Sequence, residues 1–331
     1  MSELSGSHLN IENKMKPLST KKRKISWAIL FLIFVIVAPL ILYRSFGYRL
    51  DDLRGVVKSG GVYIHSDLAN TEIFVDGEYF RNNGVLIKNT LIQDLDADVE
   101  HKIEVRKDGY YDWNKVLSVK EGLVTEAASM MIPKEIETIE VLPYVDAKGV
   151  ATTTAIVAGV KLAKNAEFVA FEKLFTPATT TAKVSTGAVT KVATTTKEIP
   201  KYFTDLGIAD PEKLENLIVR GEEVTWLENG NVLINWIGER DSTPFYYCYI
   251  SDCVNKKVLD WQEEISRFDF LPNKTHILIV MNAKGIWAVE IDDRSERNIQ
   301  PVFLGEKLDF RINDNKRITV LQNGIFHELR M

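Results

Sequence analysis

The sequence predicts an all-β extracytoplasmic part, a small β-sandwich followed by a partial or irregular β-propeller, behind one N-terminal transmembrane helix. Three observations carry this: a nineteen-residue run without charge near the N-terminus, short alternating strands closed by tight-turn signals from Gly61 onward, and a repeat of about 42 residues in the last third.

The run is Ile25 to Tyr43, ISWAILFLIFVIVAPLILY. At the helical rise it would be roughly 29 Å long, close to the hydrocarbon thickness of a bilayer. Ile25, Trp27, Phe31, Phe34, Pro39 and Tyr43 mark it as the membrane anchor, with aromatics towards its ends and a proline that a membrane helix tolerates. Lys21, Lys22, Arg23 and Lys24 precede it directly, and the first 24 residues carry six Lys/Arg and two acids, a net of +4. The whole-chain net of −5 therefore leaves −9 for everything after residue 24. The positive-inside bias predicts a cytoplasmic N-terminus and extracytoplasmic C-terminal domains at the cell membrane. A cleaved secretory signal would need a small-x-small site, which neither Val37-Ala38-Pro39-Leu40 nor Tyr43-Arg44-Ser45-Phe46 supplies. A buried core helix is the other reading, but few soluble helices are apolar all round over this length.

Residues 1–24 read as a disordered basic tail, polar and without apolar periodicity, and 44–57 as an amphipathic connector. With 331 residues, 45% of them apolar, there is material for the span and two or three ordinary domains. The acidic balance after the span argues against nucleic acid, which requires a basic face.

From 58 to 133 strand signals are dense. Gly61-Val62-Tyr63-Ile64-His65 alternates with period two, Glu72-Ile73-Phe74-Val75 runs into Asp76-Gly77, and His101-Lys102-Ile103-Glu104-Val105 leads to Asp108-Gly109. Together with Gly109-Tyr110-Tyr111-Asp112-Trp113, this succession resembles the PEGA domain, a small bacterial surface β-module. The family's Pro-Glu-Gly-Ala turn is replaced here by Asp67-Leu68-Ala69-Asn70, and its Thr-Pro by the region Asn82-Asn83-Gly84-Val85. The resemblance implies a non-catalytic module on a membrane-anchored or secreted protein. Tyr110 and Trp113 supply core area for so small a sandwich. Asp94-Leu95-Asp96-Ala97-Asp98 has the spacing of calcium ligands without the glycine and the twelfth-position acid, so it reads as a solvated loop.

Residues 134–205 read as a Thr/Ala-rich linker or divergent strands; the composition shifts to Thr, Ala, Lys and Val over 147–197, with the apolar patch 161–175 able to form a helix or a hairpin. Residues 206–331 repeat. Val224 to Ile234 lines up with Ile265 to Val280 and with Leu308 to Val320, and Gly285 to Ile291 lines up with Gly324 to Leu329. The pattern resembles blades of the TolB and WD-repeat kind. A closed propeller needs at least four blades, so two and a half to three copies imply divergent strands from 134–205 or an open, partial arrangement.

The two cysteines, Cys248 and Cys253, face each other if YYCYISDC is a hairpin turning at Tyr249 to Asp252. A disulfide there would contribute about 2 kcal/mol and fit an oxidising compartment. The other reading is a pair of reduced, half-buried thiols. No histidine lies near the pair in sequence, so a zinc site is not suggested. Walker, Rossmann, H-E-x-x-H and G-x-S-x-G motifs are absent from the sequence, and no catalytic, metal or cofactor residue emerges. Asp292-Asp293-Arg294 and Asp260 to Glu264 are the densest acids of the blades and read as solvated loops.

The expectation is a non-enzymatic, membrane-anchored binding or display protein contacting envelope proteins or cell-wall glycans. The alternatives are an envelope hydrolase using the acids at 292 and 293, or an accessory subunit of a secretion or adhesion complex.

Overall fold

A computed structural model describes residues 20–51, 54–145, 149–153, 156–157, 160–176, 200–249, 252–261 and 263–331. The basic tail up to residue 19, and the Thr-rich stretch 177–199 with the Thr triplets 179–181 and 194–196, lie outside the described residues. The chain divides into two compact units, Met1–Lys58 and Ser59–Met331.

In the first unit one helix, α1, runs Thr20–Ser45, with Pro39 inside it and no buried residue. It is long enough and apolar enough to cross a membrane. It includes the basic cluster, because lysine and arginine are good helix formers and continue the run N-terminally. In the stretch read as an amphipathic connector, β1 (Tyr48–Asp51) forms a hairpin with the first residues of β2 (Gly55–His65). Tyr43 at the helix end stacks on Tyr48 at 5.5 Å between ring centres.

The second unit is built from β-sheets. Its first part is a pair of facing sheets. The remainder of β2 pairs with β5 (Thr90–Asp96) and, in parallel, with β8 (Val124–Ala128). The second sheet has the order β4-β3-β6-β7, from β3 (Glu72–Val75), β4 (Glu78–Asn82), β6 (Glu100–Arg106) and β7 (Trp113–Ser118). Asp76 and Gly77 join β3 to β4 with φ of 52° and 86°, the conformation that a two-residue hairpin of the correct twist requires and that Asp-Gly tolerates. Asp94 to Asp96, expected in a loop, belong instead to β5, since Leu91 to Leu95 has enough apolar character to pair with β2.

After β9 (Glu137–Val141) come five two-residue strands, β10 (Tyr144–Val145), β11 (Ala151–Thr152), β12 (Ile156–Val157), β13 (Val160–Lys161) and β14 (Ala163–Lys164), then α2 (Ala166–Phe175) and α3 (Lys201–Asp205). Asn165 caps α2 by accepting from Glu167 N, and Phe168 and Phe171 are buried against Phe326.

Three four-stranded antiparallel sheets follow. The first is β15 (Glu215–Arg220), β16 (Glu223–Glu228), β17 (Asn231–Trp236) and β20 (Lys256–Leu259), with β18 (Cys248–Tyr249) and β19 (Asp252–Cys253) in the insertion before its last strand. The second is β21 (Arg267–Phe270), β22 (Ile277–Asn282), β23 (Gly285–Glu290) and β24 (Ile299–Leu304). The third takes β25 (Leu308–Ile312), β26 (Ile318–Gln322) and β27 (Ile325–Arg330), and is completed by β9. The repeat read from the sequence is one strand out of phase in its first copy: Val224 lies in the second strand of its sheet, whereas Leu308 begins a first strand. The equivalent hairpins are Asn229-Gly230 and Asn323-Gly324, both with positive φ. Every strand of a meander has the same period-two pattern, so similarity of strands cannot by itself fix which one comes first.

The apolar cores explain the single unit. β22 is buried at every position. Ile277, Ile279 and Met281 join Val62, Ile64, Trp113 and Leu117 of the facing sheets in one cluster, while Leu278 and Val280 join Val232, Ile234 and Tyr247 in another. Alternation thus sends successive side chains of one strand into two cores. Trp113→Ala should cost about 3–5 kcal/mol. Hydrogen exchange should show the amides of β22 and β26 losing protection together with those of β6 and β7; loss confined to residues 59–133 would mean two independent cores.

Candidate functional site

Ionisable groups are concentrated where β7 meets the end of β23. In β7 the alternation that buries Trp113 and Leu117 also turns Lys115 inward, and its side chain is wholly enclosed. Its Nζ donates to Glu290 Oε2 at 3.0 Å, to the Asp292 carbonyl at 2.7 Å and to the Glu296 carbonyl at 3.4 Å. All three ammonium donors are thereby used. Glu290 also accepts from Trp113 Nε1 at 3.2 Å and from Asn298 Nδ2 at 2.8 Å. Asn298 closes the circuit, donating to the Asn114 carbonyl at 2.9 Å while its Oδ1 accepts from Asn114 N at 3.1 Å. Burial raises the pKa of the Glu290 carboxyl, and Lys115 and Asn298 oppose that shift.

Asp292 is buried as well, contrary to the solvated loop expected of it. Burial pushes its carboxyl up, but the Arg294 guanidinium outweighs that and holds it below the usual range, with Nε donating to Oδ1 at 2.9 Å and an Nη to Oδ2 at 2.7 Å. Arg294 also donates to the Glu126 carbonyl at 2.7 Å and lies over the Phe245 ring, which stacks on His65. Asp293 is exposed, as a solvated loop requires, and is held by Lys257 and by Arg297 at 3.2 Å. Asp260 and Glu264 are exposed.

Beside this network lies a cleft of ≈ 390 Å³ bordered by Val116, Leu117, Thr125, Tyr249, Arg294 and Glu296. Tyr249 leads into the Cys248–Cys253 disulfide, whose cysteines are directly paired across β18 and β19. The cleft combines an exposed aromatic ring, an aliphatic floor and groups of both charges, a surface suited to holding a small polar ligand. It presents no nucleophile held by a base. Among the described residues no cluster of three or more His, Cys, Asp or Glu is placed to hold a metal.

A second buried acid, Glu223 in β16, accepts from Tyr247 OH at 2.7 Å. Burial pushes its pKa up to about 7, against the pull of Tyr247 and the Arg220 charge. Burial and the Glu223 charge push the Tyr247 hydroxyl up in turn. His276 has a buried Nε2 without a hydrogen-bond partner, and burial, with the nearby Lys274 charge, lowers its pKa to about 4.

Of the residues singled out in the sequence, Ile25, Trp27, Phe31 and Phe34 are exposed along α1, with Pro39 and Tyr43 further on and Lys21 to Lys24 at its start. Sequence reasoning missed Lys115, Glu290, Asn298 and Glu223. A signal existed for Lys115 and Glu290: each stands in phase with apolar neighbours, Trp113 and Leu117 for one, Ile286 and Ala288 for the other.

No family model matches this chain, and no curated protein matches it. Among solved structures, one similar chain is a protein from Bacteroides fragilis NCTC 9343 described as membrane-associated and of unknown function. It is 13% identical, the likeness covers 82% of this chain and 94% of that one, and the TM-score is 0.19. Likeness at that level determines neither fold nor function.

Lys115→Met or Glu290→Leu alone should cost about 3–5 kcal/mol, because each leaves a buried charge unpaired, and the double variant should recover most of that loss in urea unfolding of the solubilised chain. Glu223 has a folded-state pKa above its unfolded value of about 4.5. Its contribution is therefore fully present below pH 4.5 and is lost as the pH rises through about 7. Unfolding free energy should fall by about 3 kcal/mol between pH 4.5 and 8 from this group, and Glu223→Gln should remove that slope.

Proposed function

We propose that this chain is a single-pass membrane protein with a cytoplasmic N-terminus, and that it displays its β-sheet unit outside the cell to bind envelope proteins or cell-wall glycans without catalysing a reaction. The observation carrying this reading is the state of the acids at the end of β23: the buried Glu290 and Asp292 are taken up by Lys115 and Arg294, and the exposed Asp293 by Lys257 and Arg297, while the neighbouring cleft offers Tyr249 and charged rim groups to a ligand. An exposed aromatic ring with hydrogen-bonding neighbours is a surface on which a sugar ring can stack. The basic cluster at the start of α1 and the Cys248–Cys253 bridge both suit an extracytoplasmic β unit.

Within this reading the paired sheets of residues 58–133 are a PEGA-like sandwich and the three later sheets are propeller-type blades in a partial ring. The strand that β9 lends to the last sheet supports it, since it gives that sheet the four strands of a blade.

Two measurements test it. A membrane-impermeant maleimide added to intact cells should label Cys248 and Cys253 only after mild reduction, and labelling that requires permeabilised cells would reverse the orientation. Crosslinking in membranes followed by affinity capture should recover a repeated protein or wall partner, and Tyr249→Ala should lower that recovery several-fold; a chain that stays monomeric and retains nothing would sink the binding reading.

A further inference from the structure

The loop between β4 and β5 carries three consecutive aliphatic side chains, and the structure holds them out of the fold. Val85 is 66% exposed, Leu86 97% and Ile87 75%. Below them a buried amide ties down both ends of the tip: Asn83 Oδ1 accepts from Thr71 N at 2.8 Å, and its Nδ2 donates to the carbonyls of Leu68 at 2.7 Å and Lys88 at 2.8 Å. Gly84 N then donates to the Ile87 carbonyl at 3.0 Å and closes the turn. Burying any of these side chains would stabilise the fold, yet the clamp keeps all three in water.

The surroundings show what the tip fits. It projects, so it offers no concavity for a partner's side chain. The adjoining edge strand β4 is exposed at every position and presents Tyr79 and Phe80. Arg81, whose guanidinium lies over the Phe80 ring at 5.2 Å, and Lys88 flank the tip on either side in the chain. Each makes one hydrogen bond to a carbonyl, Arg81 to Leu91 and Lys88 to Asp67, and keeps further donors for an anion. The single acid of β4, Glu78, is at the opposite end of that strand. Exposed aliphatic side chains with aromatic rings and cations beside them are the set of side chains that a lipid surface collects.

A bilayer is also at hand if α1 is an anchor, and the inference rests on that part of the proposed function. Only residues 46–58 separate the end of α1 from Ser59, a reach of at most roughly 45 Å even when fully extended.

We propose that Val85, Leu86 and Ile87 form a preformed wedge that inserts into the bilayer that α1 spans, with Arg81 and Lys88 on its phosphates. The test uses the full chain, whose two native cysteines are joined in the disulfide. Leu86→Cys, and separately the exposed Glu135→Cys as a control, are labelled with an environment-sensitive fluorophore without reductant. Each is reconstituted in phosphatidylcholine vesicles with and without phosphatidylglycerol, and quenching is measured with a lipid-borne nitroxide and with aqueous iodide. The expected result is co-flotation with the vesicles, blue-shifted emission at position 86, and lipid-borne quenching several-fold stronger there than at position 135, greater still with the anionic lipid. Co-flotation with both positions quenched only by iodide overturns the wedge and leaves the anchor standing. Shielding at 86 that rises with the protein-to-lipid ratio and escapes the lipid quencher assigns the tip to a second copy and likewise overturns it. Failure to co-float removes the anchor and the wedge together.

Discussion

The second unit depends on the burial of β22 on both faces. A strand with one wet face holds one core, but Ile277 to Met281 contributes to two, so the facing sheets of residues 59–133 and the first of the later sheets are connected through its side chains. The order of the fold follows from this. The sheet β21 to β24 must be central, the sheets that share its two cores bury their apolar faces against it, and a cavity opened in one core is transmitted to the other because packed interiors relax only partly.

The same sheet explains the charged network. Where β23 ends, its inward face is still covered by β7, so Glu290 cannot reach solvent and needs a cation from the covering strand. Lys115 supplies it. An ion pair of this kind adds little stability compared with apolar residues of similar size, but it is intolerant of misplacement, since a shifted β7 would leave both charges unpaired in a dry site. Asn298, Asp292 and Arg294 extend the constraint to the loop after β23, and Arg294 carries it to the insertion that holds the disulfide. One side of the cleft beside Tyr249 is thus framed by Arg294, whose position the Asp292 carboxylate, the Glu126 carbonyl and the Phe245 ring fix together.

Part of this was legible in the chain. The apolar run announces α1, since nineteen residues without charge make a helix long and apolar enough to cross a membrane. Asp76-Gly77, Asn229-Gly230 and Asn323-Gly324 announce hairpins because few other dipeptides accept two positive φ angles in succession. The repeat announces sheets of similar make. Its phase was not legible, because β15 and β16 have the same period, and neither was the role of β9, whose partner β27 lies almost two hundred residues away. Lys115 stood in phase with Trp113 and Leu117, but only the approach of Glu290, 175 residues on, turns a misplaced charge into a satisfied one.

What the sequence determined by itself is local: a helix fit for a membrane, strands, the tight turns between them, and a pair of cysteines close enough to meet. Those depend on backbone preference and on neighbours within a few residues. What only the tertiary structure decided is which faces are shared, that Asp292 is enclosed while Leu86 is held in water, and that one asparagine clamps the tip beneath it. These are outcomes of long-range packing, in which a residue's exposure is set by whatever other segment arrives to cover it.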